Sequence, residues 1–300
     1  MNQVLIENIQ FGLGGETPLF LDIIRPAMEP DKPLPVLVFI HGGGWMGGDK
    51  AGAGGREWNA SLLKYGFILV NINHRLSGTA PFPAHIHDCK AAIRWIKANA
   101  ANYKMERDRI GVWGHSSGGH LAALIGTYAD IPDLEGHSGN PDHSTSVQAV
   151  AVSAAPIDLL TMGGWHDLPH SPEAKFTGSQ YVQDRPDLAK QANLVTYITK
   201  DQMTHIPPFL IIHGDADPMV PSSQAEILYS ALEDVTFLRI KGGDHDYLGG
   251  NMSMNQVLET VGTFFKRHLV EGISEKEIEE TQESKRMTEK FIRHFADAGR

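Results

Sequence analysis

Two adjacent serines lie between glycines in the stretch GHSSGG, residues 114–119, directly after an apolar run. By itself such a stretch is only a turn. It carries chemistry where a buried strand reverses sharply into a helix, because that turn exposes a serine hydroxyl above the sheet. A frame centred on Ser116 has glycines two residues before and after it, whereas one centred on Ser117 would put His115 at the first glycine position. The sequence therefore predicts Ser116 as a nucleophile.

A serine that attacks a carbonyl needs hydrogen-bond donors for the oxyanion that forms. The stretch HGGGWMGG, residues 41–48, follows an apolar run, and its glycines let backbone N–H groups approach a substrate oxygen. A phosphate-binding loop is the alternative, but the stretch lacks both the Gly-Lys-Ser/Thr ending and the G-x-G-x-x-G spacing. We expect the oxyanion hole to use the N–H groups of Gly42, Gly43 and Ser117.

The serine also needs a base, and the base needs a carboxylate that orients it. The stretch HGDADPMVP, residues 213–221, places Asp215 and Asp217 after one apolar run, and His245 follows the next run. Loops at the carboxyl ends of parallel strands gather at one edge of a sheet. We therefore expect His245 and one of the two aspartates to meet the nucleophile there.

The elements that must position these residues are visible as apolar segments. Six of them predict buried strands, at residues 33–41, 66–73, 109–114, 147–154, 207–214 and 235–242. Helical patterns separate them, which predicts an α/β fold whose mostly parallel sheet has helices on both faces. Residues 3–12 and 18–26 are joined by a short glycine-rich link, so we expect an antiparallel hairpin at the N-terminal edge of the sheet.

We expect a single domain over residues 1–270. Within it, residues 155–206 are irregular and too long for a simple connection, which predicts a small cap-like insertion that lines the pocket. Residues 271–300 are densely charged and predict a C-terminal helix. Apolar residues recur in it at intervals of four, at Met287, Phe291 and Phe295. We expect this helix to lie on its own domain, with a homodimer contact as the alternative.

The composition is that of a globular protein, with 41% hydrophobic and 21% charged residues among 300. The net charge of −10 argues against a nucleic-acid partner. We expect no membrane partner, because the chain has no apolar run of about 18 residues. The N-terminus shows no secretory signal, so we expect a cytoplasmic location. The single cysteine, Cys89, cannot form an internal disulfide, and its helical context predicts burial.

Fifteen histidines raise the question of a metal site. The groups His85–Asp88 and Asp244–Asp246 have a ligand-like composition, but zinc needs three or four converging ligands and a serine mechanism needs none. We therefore expect no metal and no cofactor, and we expect His41 to brace the glycine loop. Substrate contacts are expected from Trp45, His115 and Trp165, with ordinary packing as the alternative for each.

The segments HGGGW, GHSSGGHLAAL, PFPAHIHDCKAAIRWIKANA and HGDADPMVP together resemble the α/β-hydrolase fold serine esterases. They are most similar to the bacterial feruloyl/acetyl esterase group next to the hormone-sensitive-lipase family. The resemblance covers residues 15–270 and implies that Asp217 is the catalytic acid, while Asp215 shapes its loop. It departs at His115, where the lipase family usually has an acidic residue, and this favours the carbohydrate-esterase-like neighbours. It departs again at NINHRL, residues 71–76, where Asp-Tyr is common before Arg-Leu.

The resemblance implies a carboxylesterase-type serine hydrolase that acts through an acyl-enzyme on small-molecule esters of acetyl or feruloyl type. We expect short acyl chains, because no long apolar lid is evident. Kynurenine-formamidase-like proteins share the glycine loop, so an amide substrate is the alternative. Dipeptidyl-type peptidases share the serine turn but usually carry a large further domain, which we do not expect here. Receptors of this fold have lost the catalytic histidine, so the presence of His245 argues against a purely ligand-binding role.

Overall fold

Eight strands form the sheet that carries the candidate site, within the part of the chain that the computed structural model describes. The described residues are 2–52, 54–127, 131–198, 206–271 and 275–298, with side chains in the last helix described for 280 and 282–293. The strands are β1 (Gln3–Gly14), β2 (Thr17–Pro26), β3 (Leu34–Ile40), β4 (Ile68–Ile72), β5 (Met105–His115), β6 (Ala149–Ser153), β7 (Phe209–Gly214) and β8 (Val235–Ile240).

The strand order in the sheet is β1-β2-β4-β3-β5-β6-β7-β8. β1 pairs antiparallel with β2, and β2 pairs antiparallel with β4, while the remaining neighbours are parallel. The short link after Gly14 can only return the chain antiparallel, whereas parallel pairing needs the longer crossovers that helices supply. The predicted mostly parallel sheet with an antiparallel N-terminal edge is therefore confirmed.

Helices connect the strands and cover the sheet. They are α1 (Arg56–Ser61), α2 (Ala84–Asn99), α3 (Ser117–Thr127), α4 (Pro132–Glu135), α5 (Pro172–Phe176), α6 (Pro186–Ala192), α7 (Ser223–Ala231), α8 (Met254–Phe265) and α9 (Glu275–Ala298). A π-helical turn, Lys266–Glu271, extends α8. No helix in the described ranges combines the length and apolar character that crossing a membrane requires.

The core lies on both faces of the sheet, as the uninterrupted apolar strands predict. Alternate residues of β3 point to opposite faces, so Val38 joins one apolar cluster and Phe39 joins the other. Ile93 of α2 packs in the first cluster and Phe265 of α8 in the second. Cys89 is buried as predicted, and burial raises the pKa of its thiol well above the usual value. The two-sided core holds the strand ends, and hence the loops that follow them, in fixed positions.

The C-terminal helix α9 forms over Glu275–Ala298, and the large apolar side chains described in it are exposed. Met287 and Phe291 are each 66% exposed, and the expectation that this helix lies on its own domain, with a homodimer contact as the alternative, stays a prediction. The side chain of Phe295 lies outside the described residues. Charged residues surround the apolar positions in α9, which leaves only a narrow apolar strip for packing.

Candidate active site

The turn between β5 and α3 holds Ser116 in a strained conformation. Its φ angle is 56°, in the left-handed region that a non-glycine residue rarely occupies. The Ser116 N–H donates to the carbonyl of Ser153 at 2.8 Å, which fixes the turn to β6. A side chain at Gly118 would place its Cβ 2.1 Å from the carbonyl oxygen of Ile40, so only glycine allows α3 to cross β3 this closely. This is the geometry of a nucleophile elbow.

The glycine loop after β3 lies against the elbow. A Cβ built on Gly42 would lie 3.2 Å from Ser116 Cβ, and Gly43 has a φ of 114° that favours glycine. Among the loop and turn hydrogen bonds of the described residues, none uses the N–H of Gly42 or Gly43. Ser117 is the first residue of α3, where a backbone N–H has no intrahelical acceptor. The three predicted oxyanion donors therefore lie in two segments that touch each other beside Ser116.

Histidine and asparagine side chains stabilise the glycine loop. His41 Nδ1–H donates to the carbonyl of Gly42 at 2.9 Å, the bracing role that its position predicts. The ring of His74 stacks on His41 with centroids 4.6 Å apart. Asn73 Nδ2 donates to the Asp49 carboxylate at 2.7 Å. Asn73 and His74, which depart from the family pattern, thus support the glycine loop through their side chains.

The loop after β7 provides the carboxylate. His245 Nδ1–H donates to Asp217 Oδ2 at 2.7 Å, while Asp217 Oδ1 accepts from the N–H groups of Met219 and Val220 at 2.8 and 2.9 Å. His213 Nε2 lies 3.3 Å from the same Oδ2. Burial raises the pKa of Asp217, but the hydrogen bonds from His213 and His245 outweigh it, and the pKa is lowered. Asp217 is therefore ionised and holds the imidazole by its Nδ1 side.

Asp215 has different contacts from Asp217. Its carboxylate accepts the N–H of Gly242 at 2.7 Å and forms ion pairs with Lys241 at 3.1 Å and Arg239 at 3.7 Å. These contacts join the loop after β7 to the end of β8. Asp215 thus shapes the loop without contacting the histidine, which is the division between the two aspartates that the resemblance implies.

Ser116 and His245 line the same cavity of about 510 Å³. The cavity is also lined by Phe39, His41, Gly42, Gly43, Gly44, Gly48, Asp49, Gly52, Trp58, His115, Met219 and Asp246. The structure thus brings together, at one edge of the sheet, the serine, the histidine–aspartate pair and the glycine loop. An alcohol, an imidazole held by an ionised carboxylate, and free backbone N–H groups are the parts that acyl transfer requires.

The three expected substrate contacts occupy different environments. Trp45 is 1% exposed and stacks on Phe176 with ring centroids 4.4 Å apart, so it packs in the core and the expectation of a substrate contact is corrected. His115 lines the cavity, and a substrate contact by it stays a prediction. Trp165 is 43% exposed and its ring contacts that of His166 in a tilted arrangement, while His166 Nε2–H donates to the carbonyl of Met219 at 2.8 Å. A substrate contact by Trp165 stays a prediction.

Residues 155–198 of the insertion pack against the loops of the site. The N–H of Phe82 donates to the carbonyl of Phe176 at 2.8 Å, and Pro172 lies beside Gly44 of the glycine loop. With the contact of His166 to the loop after β7, the insertion packs against loops on both sides of the site. None of the cavity-lining residues belongs to residues 155–198, so the role of the insertion as a pocket wall stays a prediction.

Several residues that line or support the site were not predicted from the sequence. His213 precedes Asp217 by four residues at the end of β7, and that spacing in the HGDAD stretch was its signal. Trp58 and Asp49 line the cavity from segments after the glycine loop, for which spacing gives no indication.

Among the described residues, no three or more His, Cys, Asp or Glu side chains are grouped to hold a metal ion. The histidines with ligand-like spacing have other partners. His85 Nε2 lies 3.3 Å from Ser77 Oγ, and His87 Nε2–H donates to the carbonyl of Asp133 at 2.9 Å.

Comparison with known proteins identifies the family of this chain. The profile of the BD-FAE family matches residues 21–232. Esterase LipQ of Mycobacterium tuberculosis is 33% identical over 265 residues, which are 86% of this chain and 61% of LipQ. Esterase LipC of the same organism is 31% identical and is matched over 58% of its length. The chain spans about six tenths of the length of these curated relatives.

Two solved structures are similar in both fold and sequence. A truncated form of a carbohydrate esterase from gut microbiota superposes with a TM-score of 0.76 at 30% identity, covering 87% of this chain and 95% of that one. A bifunctional GH43-CE protein of Bacteroides eggerthii gives a TM-score of 0.77 at 36% identity, covering 88% of this chain and 35% of that one. By its profile match, its relatives and its sheet, the chain belongs to the BD-FAE family and has the α/β-hydrolase fold.

Proposed function

We propose that this protein is a serine carboxylic-ester hydrolase that works through an acyl-enzyme on Ser116. The observation that carries the proposal is the hydrogen bond from His245 to the ionised Asp217 at the rim of the cavity that Ser116 also lines. The esterase names of the relatives support the same reaction class.

In the proposed reaction, Ser116 Oγ attacks the ester carbonyl while His245 Nε2 takes the serine proton. Asp217 keeps the His245 proton on Nδ1, so that Nε2 is free to act as a base, and it stabilises the imidazolium that forms. His245 then gives its proton to the departing alcohol, which leaves an acyl group on Ser116. Water, activated by the same histidine, releases the acid and restores the serine.

The N–H groups of Gly42, Gly43 and Ser117 are the proposed donors to the oxyanion. They belong to backbone that is fixed before substrate arrives, because the elbow and the glycine loop touch and His41 braces the loop. Donors that need no rearrangement stabilise the tetrahedral intermediate most effectively, and removing one such donor typically costs about 3–4 kcal/mol of transition-state stabilisation.

The proposed substrates are esters of short-chain or aromatic acids, of acetyl or feruloyl type, with a carbohydrate as one alcohol. The carbohydrate-esterase structures support this alcohol. Apolar side chains of the insertion, such as Phe176 and Val182, are fully buried in the core, so they do not form an apolar channel for a long acyl chain. The aromatic ring of Trp58 at the cavity supplies a flat surface for a phenolic acyl group.

The test combines an active-site probe with a substrate panel. We expect a fluorophosphonate probe to label the wild-type chain and to leave Ser116→Ala unlabelled. We expect kcat/KM to fall from 4-nitrophenyl acetate to the octanoate, and acetylated xylan or methyl ferulate to be hydrolysed. Ser116→Ala should lose at least about 10⁴-fold in kcat. Absence of labelling would indicate a ligand-binding relative, and cleavage of N-formylkynurenine in preference to every ester would indicate an amidase.

A further inference from the structure

Tyr247 attaches the loop that carries His245 to the end of β6, next to the elbow. Tyr247 is 2% exposed and has a left-handed φ of 67°, so the loop bends inward to bury its ring. Its hydroxyl hydrogen-bonds to Ser153 Oγ and lies 3.4 Å from the carbonyl oxygen of Ile212. Ser153 is also the residue whose carbonyl accepts the Ser116 N–H. One residue at the end of β6 therefore holds both the nucleophile's backbone and the histidine's loop.

His115, the residue before the nucleophile, extends this connection to Asp246. Its Nδ1 lies 2.8 Å from Ser153 Oγ, and its Nε2 lies 3.5 Å from Asp246 Oδ1. Burial lowers the pKa of His115, so the ring is neutral and carries one proton. A bare Nε2 would face a carboxylate lone pair, so the proton belongs on Nε2. Nδ1 then accepts from the Ser153 hydroxyl, which in turn accepts from Tyr247.

Asp246 is ionised at this position, because the hydrogen bond from His115 lowers its pKa. It follows His245 directly in the chain, and the rings of His115 and His245 have centroids 4.8 Å apart. On the other side of the loop, Asp244 Oδ1 accepts the N–H of Asp246 at 3.0 Å and the N–H of Leu248 at 2.8 Å. The backbone on the C-terminal side of His245 is thus held from two directions.

We propose that His115 is a positioning residue: by bridging Ser153 and Asp246 it ties the loop of His245 to the nucleophile elbow. The inference rests on the proposed function, since positioning matters only if His245 acts as the base for Ser116. His115 itself transfers no proton in this scheme.

The residue type at 115 follows from the charge of its neighbour. An acidic residue, usual at this position in the hormone-sensitive-lipase pattern, would bring a second negative charge against Asp246. A neutral histidine supplies a donor to Asp246 and an acceptor for Ser153 from one ring. His115, where the chain departs from the lipase pattern, and Asp246 are therefore complementary in charge and hydrogen bonding.

Three variants test this role with 4-nitrophenyl acetate as substrate. Replacing His115 by Phe keeps a ring but removes the hydrogen bond with Ser153 and the 3.5 Å contact of Nε2 with Asp246, and we expect kcat to fall about 10- to 100-fold with KM within about threefold, as misplaced catalytic groups do. His115→Gln can still donate to Asp246 and accept from Ser153, so it should stay within about threefold of the wild type. His115→Asp should lose at least as much kcat as the Phe variant, because it opposes Asp246 with a like charge.

The decisive measurement is the double variant His115→Asp with Asp246→Asn. If the two residues act as a pair, Asp246→Asn recovers about tenfold of the kcat that His115→Asp loses, since an amide can donate to the new carboxylate. A wild-type kcat in His115→Phe, an equal loss in the Phe and Gln variants, or no recovery in the double variant would each overturn the proposal. Should His115→Asp fail to fold, the Phe and Gln comparison decides alone. Failure of the wild type to hydrolyse the ester would instead refute the proposed function.

Discussion

Asp217→Asn is the substitution that the geometry of the site predicts most sharply. If the new amide directs its oxygen at the N–H groups of Met219 and Val220, its NH₂ faces the two histidines that Oδ2 now serves. If it turns around, the NH₂ faces those two backbone N–H groups instead. The first orientation is favoured, because it avoids pointing the amide NH₂ at two backbone N–H donors. It requires His245 to accept from the amide, so Nδ1 must carry no proton.

With Nδ1 bare, the His245 proton moves to Nε2, the atom that must accept the proton of Ser116. The base is then in the wrong tautomer, and its imidazolium also loses the neighbouring charge. We expect kcat to fall about 10⁴-fold, which corresponds to about 5 kcal/mol of transition-state stabilisation.

Initial rates with 4-nitrophenyl acetate and a thermal melt of the same sample provide the measurement. Asp215→Asn is the matched control, because its carboxylate lies in the same loop but contacts Gly242, Lys241 and Arg239. We expect the control to keep kcat within about tenfold, because an amide oxygen can still accept the Gly242 N–H and ion pairs with exposed partners such as Lys241 and Arg239 contribute little. The reasoning is refuted if Asp217→Asn stays within tenfold of the wild type, or if both variants lose activity equally while remaining folded.

Three further perturbations have expected outcomes. Burial lowers the pKa of His85 to about 3 and that of His120 to about 4, from the usual 6.5. Below pH 6.5 only the unfolded chain therefore binds their protons, and the free energy of unfolding decreases as the pH is lowered. Urea unfolding should show a loss of about 2 kcal/mol per histidine between pH 8 and pH 5, and unchanged stability would contradict their burial as neutral rings. Gly118→Ala drives a Cβ against the last carbonyl of β3, and the same assay should show about 2–3 kcal/mol of destabilisation. The carboxylates of Asp49 and Asp246 line the cavity, so 4-nitrophenyl hemisuccinate should show about tenfold lower kcat/KM than the butyrate; equal values would exclude this repulsion.

Patterns along the chain predicted the central strands, because β3, β4, β6 and β7 are largely apolar segments buried on both faces. The end of β5 was placed within one residue, at His115, while its beginning was missed because residues 106–108 are polar and partly or fully exposed. The elbow was predicted because close contacts between backbone atoms require glycine on both sides of the serine. This requirement fixes the spacing of the glycines and the serine in the sequence.

Contacts between loops could not be predicted in the same way. The bridge from His115 to Asp246 joins residues 131 positions apart, and neither residue type indicates the other in the sequence. Trp45 was misassigned for a similar reason: a tryptophan in a glycine-rich loop suggests an exposed ring, but Phe176 of the insertion covers it. Which side of a loop is covered depends on distant segments.

The described part of the insertion between β6 and β7 contributes none of the proposed triad or oxyanion residues and none of the residues that line the cavity, although it packs against the loops that do. The proposed triad and oxyanion residues follow β3, β5, β7 and β8, whose ends are fixed by the two-sided core. We therefore expect mutations in residues 155–198 to act on ester preference only through the cavity-lining loops, while the reacting groups stay unchanged. For directed evolution of new specificities, this favours cavity-lining positions such as Trp58 and Met219, with Phe176 and His166 held constant because they attach the insertion to the rest of the domain.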